Sequence, residues 1–279
     1  MSLNKKIAES LDLLTKGEAT ALRMNPEEGY FLGFSGGKDS QAVYHLCKLA
    51  GVRFEPYYSV TGIDTPETIH FIRDNYPDVE FIHHKQNFFQ LVEEKGLPTI
   101  MRRYCCERLK EHFGAGQCVL TGVRAEESKK RSSYAAIEVF SRRKEHQNQP
   151  RKRDEDWLTQ EEHQCIKGQD KIMIRPILNW TTEDVFQFLL MVGAKINPTY
   201  AKHRRVGCMF CPFAPKDEIE YFETIYPKYR KRLLLAIERW GAKNGYYGLN
   251  SAEEVMRWWK TKMSIADYKM RDLASPQYD

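Results

Sequence analysis

The sequence has no apolar run approaching the roughly 20 residues that a membrane-spanning helix needs. The longest, such as Phe188-Leu-Leu-Met-Val192, are far too short, so no membrane span or membrane partner is expected. It also has no internal repeat and no low-complexity tract, which excludes solenoids and disordered linkers. At the start, polar residues interrupt Ile7, Leu11, Leu13 and Leu14. That pattern suits an amphipathic helix and not a signal-peptide core, so a cytoplasmic location is expected. Cysteine is scarce and irregular: seven residues, an odd number without disulfide spacing. In a reducing compartment, clustered cysteines point to metal binding or redox chemistry. What remains is a 279-residue chain, 42% hydrophobic and 29% charged, long enough for one large or two modest globular domains.

The net charge of +5 is unevenly spread. Between residues 129 and 153, nine Lys and Arg stand against Glu138 and Glu145, so the remainder of the chain is slightly acidic. Such a segment attracts phosphates or a polynucleotide; the alternative is a solvated insertion between secondary-structure elements. Residues 142 to 170 lack hydrophobic periodicity and read as a long loop or flap.

The first half alternates short apolar runs with amphipathic stretches, the pattern of βαβ units around a parallel sheet. Strands are predicted at Tyr30 to Phe34, Arg53 to Val60, Val79 to His83 and Cys118 to Thr121, with Lys171 to Arg175 as an edge or later strand. Helices are predicted at Asp39 to Ala50, from Pro66, and from a threonine cap after Trp180 through Val192. From Asp217 onward the pattern is helical, with a capping box at Ser251-Ala-Glu-Glu254. The fold class is therefore α/β, a parallel twisted sheet flanked by helices, with a helical C-terminal lobe.

Phe31-Leu-Gly-Phe-Ser-Gly-Gly-Lys-Asp-Ser40 runs from an apolar strand straight into a helix. Paired glycines let the backbone turn without a side-chain clash, so that N–H groups and the positive end of the helix face an anion. Ser35 and Ser40 add hydroxyls, Lys38 adds charge, and Asp39 would position magnesium or cap the helix. This is not a Walker loop, which needs Gly-x-x-x-x-Gly-Lys-Ser/Thr. It resembles the Ser-Gly-Gly-x-Asp-Ser pyrophosphate loop of enzymes that cleave ATP between its α and β phosphates.

Cys105 and Cys106 are adjacent, and Cys208 and Cys211 form a C-x-x-C. Four thiolates in two close pairs suit an iron–sulfur cluster, and neighbouring Arg and Lys favour ionised thiols. Zinc is the rival, although four-cysteine zinc usually takes two C-x-x-C knuckles. Of the other cysteines, Cys47 and Cys118 read as core residues, while Cys165, beside His163 and Lys167, is a candidate redox thiol. His83 and His84 read as surface or capping residues at a strand end.

Together the two patterns resemble the phosphoadenosine phosphosulfate (PAPS) reductase family, within the adenine nucleotide alpha hydrolase-like superfamily. Thr61-Gly-Ile-Asp-Thr-Pro-Glu-Thr68 and Thr121-Gly-Val-Arg-Ala-Glu-Glu-Ser128 are similar to further family elements, as are Arg175-Pro-Ile-Leu-Asn-Trp180 and Asn197-Pro-Thr-Tyr200. The resemblance covers about Gly29 to Pro212. It implies an adenine-nucleotide site at Ser35, Gly36, Gly37, Lys38, Asp39, Ser40, Gly62, Gly122 and Arg124. It also implies a four-iron four-sulfur cluster on Cys105, Cys106, Cys208 and Cys211. Lys38, Asp39 and Arg124 are the candidate catalytic residues. Arg124 has a physical reason of its own, since a guanidinium past a strand's carboxyl end binds phosphate or sulfate bidentately; a surface ion pair with Glu126 or Glu127 is the alternative. The expected domains are residues 1–212, with an N-terminal helix and a basic insertion at about 129–170, and a helical lobe, 213–279, packed on them.

Three departures from the family pattern shape the expected chemistry. No cysteine follows Cys211, where sulfonucleotide reductases carry a nucleophile on a Glu-Cys-Gly-x-His tail. The phosphate loop keeps the complete Ser-Gly-Gly-Lys-Asp-Ser of enzymes that bind ATP, where reductases relax toward Ser-Phe-Gly. Val60 stands where the family often has an aspartate. The leading expectation is an ATP pyrophosphatase coupled to sulfur transfer onto a nucleic acid or small acceptor. It would use Mg-ATP (or PAPS), a sulfur or electron donor protein, and the 129–153 segment as polynucleotide guide. Reduction of PAPS or adenylyl sulfate to sulfite is the first alternative, and a non-catalytic nucleotide-binding cluster protein the second.

Overall fold

The computed structural model describes residues 1–111, 113–140, 151–159, 171–203 and 205–274. Cys165 and residues 141–150 of the basic segment lie outside these. Within them the chain forms two compact units, each discontinuous in sequence: residues 1–59, 66–82 and 113–206 make one, and 60–65, 83–112 and 207–279 the other. No helix among the described residues is long and apolar enough to cross a membrane.

The first unit is built on a seven-stranded sheet. Its strands are β1 (Tyr30–Gly33), β2 (Phe54–Val60), β3 (Glu80–His83), β4 (Cys118–Leu120), β5 (Ile137–Phe140), β6 (Arg151–Arg153) and β7 (Lys171–Ile174). Their order is β3-β2-β1-β4-β7-β5-β6. β1 pairs in parallel with β2 on one side and β4 on the other, and β7 runs parallel to β4, whereas β5 lies antiparallel to β7 and β6. The strands predicted from sequence all form, within a residue or so at each end. Lys171–Ile174, however, is an interior strand and not an edge. It is covered because Ile137–Phe140, which shows no signal beside its charged neighbours, returns antiparallel along it. Ile172 and Ile174 accordingly become fully buried.

Helices α1 (Leu3–Met24), α2 (Lys38–Ala50), α3 (Pro66–Asn75) and α6 (Thr182–Met191) belong to this unit. α2 turns Ala42, Val43, Leu46 and Cys47 inward and ends at Gly51 in the left-handed region. Gly51 lacks a Cβ, so that conformation carries no steric cost. α1 packs on α2, as does α6. Tyr30 at the start of β1 donates from its Oη to the Leu14 carbonyl at 2.7 Å. A Cβ at Gly17 would strike that hydroxyl, so glycine is what lets α1 approach. Thr181 caps α6 by a reciprocal box with Asp184.

The second unit is helical: α4 (Phe88–Lys95), α5 (Tyr104–Leu109), α7 (Lys216–Ile225), α8 (Pro227–Asn244), α9 (Ala252–Thr261) and α10 (Ile265–Ala274). Its core gathers Phe88, Leu91, Met209, Phe210, Leu233, Ile237, Val255 and Trp259. The box expected at Ser251 is only half formed. Ser251 accepts from the Glu254 amide, but the Glu254 carboxylate turns to the amide and side chain of Asn250.

One buried ion pair locks β5 to the end of β7. Arg175 and Glu138 are 3% and 2% exposed and meet at 2.9 Å; Arg175 also donates to the Ala135 carbonyl and lies over the Tyr134 ring. Removing one partner strands the other charge in the core. Replacing Arg175 with Leu should therefore cost about 3–5 kcal/mol by chemical denaturation. The double variant R175L/E138L should recover most of that loss. A single-variant loss below about 1 kcal/mol would show that the pair carries no such weight.

Candidate functional site

The sheet topology sets the position of the site. From β1 the chain crosses to β2 on one side, while β4 sits on the other, so the loops leaving β1 and β4 diverge. In open α/β sheets, ligands bind in the crevice at such a switch point, beyond the strands' carboxyl ends. Here the loop after β1 is Phe34 to Gly37 and the loop after β4 is Thr121 to Arg124. A cavity of about 690 Å³ lies between them, lined by Ser35, Gly37, Lys38, Asp39, Ser40, Gly122 and Arg124 among others. Its size is that of an ordinary small-ligand site.

The loop is held by its own serines. Ser40 Oγ accepts from the Ser35 amide at 3.1 Å, donates to the Gly37 carbonyl at 2.9 Å and lies 3.1 Å from Ser35 Oγ. Gly36 adopts φ +71, and a Cβ there would meet the Ile72 side chain at 2.9 Å. Its carbonyl accepts from Asn197 Nδ2 at 3.0 Å. Gly37 caps α2 with no side-chain acceptor, and the first turn of any helix leaves N–H groups without a carbonyl four residues back. These are the amides an anion would meet. One of them, Lys38 N–H, donates to Tyr200 Oη at 3.0 Å.

Charge converges on Asp39. Its two carboxylate oxygens bridge Lys38 Nζ and Arg124 Nε, each at 2.7 Å. Arg124 is 3% exposed and uses four of its five N–H donors: besides Nε to Asp39, Nη1 donates to Glu126 at 2.6 Å and to the Trp180 carbonyl, and Nη2 to Thr182 Oγ1. Burial opposes its charge, but Asp39 and then Glu126 outweigh it and raise its pKa above the ordinary value. The Glu126 pair weighed in sequence does form. The Asp39 pair is the one that ties the β1 loop to the β4 loop. Gly122 is necessary there because a Cβ would lie 2.7 Å from the Asp39 carbonyl carbon.

Tyr200, Asn197, Thr182 and Phe186 join the site without a role that the sequence assigns them. Tyr200 and Asn197 lie in the Asn197-Pro-Thr-Tyr200 element, so a signal existed without a role. Gly62 lies in the second unit. It takes φ +85 close to Asn87, beside a Thr61 carbonyl that accepts from the Phe88 amide. Asp64 draws this turn together by accepting from Thr61 N, Thr61 Oγ1 and Gly62 N.

The second unit also gathers the four cysteines. Cys105 and Cys106 open α5, and Cys208 forms an isolated bridge with Asp64 while Met209 N–H donates to the Ile63 carbonyl. All four are half-buried and free, and Cys105 is electrostatically coupled to the other three. Its thiol donates to the Cys106 sulfur, which lowers the Cys106 pKa, with Arg103 acting in the same direction, and raises that of Cys105. Burial raises Cys208, opposed by the Lys110 ammonium. Among the described residues, no group of three or more His, Cys, Asp or Glu is placed to hold a metal ion. Cys47 and Cys118 are fully buried core residues.

The chain is 28% identical over 219 residues to an uncharacterized protein of Methanocaldococcus jannaschii, covering 75% of this chain and 47% of the relative. A second relative from that organism is 27% identical over 211 residues, covering 71% and 39%. The chain thus spans less than half the length of either. It is also 28% identical over 214 residues to sulfate adenylyltransferase subunit 2 of Sulfurovum sp., covering 71% and 67%. Similar solved structures include PAPS reductase of Candida auris, at 12% identity, 74% and 93% coverage and TM-score 0.43. Another is FMN adenylyltransferase of Candida glabrata, at 14% identity, 71% and 60% coverage and TM-score 0.45. The family model of the phosphoadenosine phosphosulfate reductase domain matches residues 29–214. Phosphate loop, switch-point cavity and family match agree, and the chain belongs to the PAPS reductase family.

Proposed function

We propose that this chain is an ATP pyrophosphatase of the PAPS reductase family that activates a substrate oxygen by adenylylation in the service of sulfur transfer. One observation carries the reading: the complete Ser35–Ser40 loop lies at the sheet's switch point, with Lys38 and Arg124 both fixed on Asp39 at the wall of the cavity. A loop built for a terminal pyrophosphate suits ATP. A sulfonucleotide offers the same loop only a sulfate or a single phosphate.

In this reading the free amides of the first turn of α2 and the hydroxyls of Ser35 and Ser40 take the β and γ phosphates. The acceptor oxygen attacks the α phosphorus, and the bond to the bridging oxygen breaks with its electron pair leaving on pyrophosphate. Lys38 stabilises that charge as it develops. Asp39 would hold magnesium, which supplies Lewis-acid stabilisation of the phosphate oxygens when bound. Arg124 keeps the Asp39 carboxylate aimed, and Gly122 leaves room for the approach.

Cys105, Cys106, Cys208 and Cys211 would hold the four-iron four-sulfur cluster. A single tetrahedral ion needs every sulfur about 2.3 Å from one point. Arg103 and Lys110 supply positive charge beside them, which favours thiolate ligation. The cluster supplies electron or sulfur handling when bound. The basic residues 129–131 and 151–153 support a polynucleotide as acceptor, with a donor protein supplying sulfur or electrons.

Anaerobically purified protein given Mg-ATP and acceptor should release pyrophosphate, and given PAPS should form no sulfite; sulfite without pyrophosphate would replace this reading with the reductase one. Lys38→Ala should lower kcat by about 10²-fold or more while nucleotide binding weakens far less. Arg124→Lys removes the fork that aims Asp39 and should cost about 10²-fold in kcat/KM while also lowering the thermal midpoint, since the shorter ammonium leaves buried partners unanswered. Cys208→Ser should remove the visible absorbance of the cluster, and retained absorbance would refute that ligand.

A further inference from the structure

Four hydroxyls line the switch-point cavity among the described residues, those of Ser35, Ser40, Thr182 and Tyr200. Three of them spend their protons on the protein. Ser40 Oγ donates to the Gly37 carbonyl at 2.9 Å. Ser35 Oγ, 3.1 Å away, therefore donates to Ser40 Oγ, and it accepts from the Gly37 amide at 3.4 Å. Thr182 Oγ1 accepts from Arg124 Nη2 and donates to Glu126. Tyr200 is different. Its Oη accepts from the Lys38 amide at 3.0 Å, and the Val206 amide acts on the same oxygen as a second donor. A phenol has one proton and two lone pairs. With both lone pairs given to amides the proton is left over, and among the described residues it has no acceptor.

The ring that carries this hydroxyl is fixed in place. Asn197 caps the short 3-10 turn Pro198–Ala201 by accepting from the Thr199 amide at 2.9 Å, while its Nδ2 holds the Gly36 carbonyl. Phe186 of α6 stands edge-on to the Tyr200 ring, with centroids 6.0 Å apart. The approach to the loop uses the bare Cα of Gly37, where a Cβ would lie 3.2 Å from Tyr200 Oη. Burial pushes the phenol's pKa up to about 12, so the proton is present at neutral pH. A hydroxyl that accepts from amides is polarised by them and gives a stronger hydrogen bond in turn. Tyr200 thus carries the positive end of α2 one hydroxyl further into the cavity.

We propose that the Tyr200 hydroxyl binds the terminal pyrophosphate of ATP, donating a hydrogen bond to one of its non-bridging oxygens. The inference rests on the ATP reading above. The proton stays on Tyr200, and no bond in the protein is made or broken covalently. Ser35 and Ser40 must release contacts within the loop before they donate to phosphate, whereas Tyr200 donates while keeping both amides. The rival role is a plug, in which Tyr200 covers the Lys38 amide and swings away as the anion arrives. The fixed ring and the two amides it would abandon count against that, and the two roles predict opposite effects of removing the hydroxyl.

The probe is inorganic pyrophosphate, titrated calorimetrically into the full chain. Tyr200→Phe should weaken its binding about tenfold or more, the ordinary cost of one hydrogen bond to a charged group. That variant also leaves two amides without an acceptor, so a second one keeps the oxygen: 3-fluorotyrosine in place of Tyr200. A more acidic phenol is a stronger donor, and while still protonated it should bind pyrophosphate about twofold tighter or more. A brace with no anion contact would give no such gain, so equal binding by the fluorinated and unaltered proteins would overturn the proposal. Tighter binding by Tyr200→Phe would overturn it in favour of the plug. Equal binding by Tyr200→Phe and the unaltered protein sinks the tyrosine inference and leaves the ATP reading standing. If the unaltered protein binds no pyrophosphate, the ATP reading falls and takes this one with it.

Discussion

The first unit turns on a single carboxylate. Asp39 stands in the first turn of α2 and takes Lys38 from its own loop and Arg124 from the loop after β4. Because β1 and β4 are neighbours whose connections leave in opposite directions, nothing in the sheet itself joins these two loops. The ion pair does so, and it does so in a nearly buried setting where the guanidinium has no water to replace a lost partner. Glu126 then couples the same guanidinium to the amide that opens α6, at 2.8 Å. Phosphate loop, β4 loop and α6 are thus held in one hydrogen-bonded chain.

Chemistry in the second unit is organised by proximity of sulfur and positive charge. Four thiols from two sequence regions share one environment, and cationic side chains stand beside them. The turn at Thr61 to Asp64 is drawn together by one carboxylate. Asp64 satisfies two amides and a hydroxyl there, and Cys208 is bridged to that same aspartate.

Much of this architecture is legible in the sequence, and the limits have physical causes. β1, its glycine turn and α2 are readable because apolar run, paired glycines and helical periodicity follow one another without interruption. The Thr181 cap is readable because side-chain and backbone partners lie three residues apart. β5 is not: Ile137–Phe140 is four residues long, sits among charges, and gains its burial only by pairing with β7. That pairing also decides between the two expectations for β7, edge or later strand, in favour of an interior later strand. Arg124 shows the same limit from the other side. Glu126 and Glu127 are visible neighbours in sequence, but Asp39 becomes its partner only through the adjacency of β1 and β4, which no local pattern encodes. The motif holding Asn197 and Tyr200 is recognisable as a resemblance, while its physical task depends on a contact across most of the chain.

That task bears on how the protein is made. The β1 loop leaves the ribosome before its braces do: its Gly36 carbonyl and Lys38 amide find their partners on Asn197 and Tyr200, 161 and 162 positions downstream. Until that later stretch has been synthesised, the loop lacks its braces. The turn after β1 is thereby finished only once the sheet is nearly complete and two segments far apart in sequence have found each other.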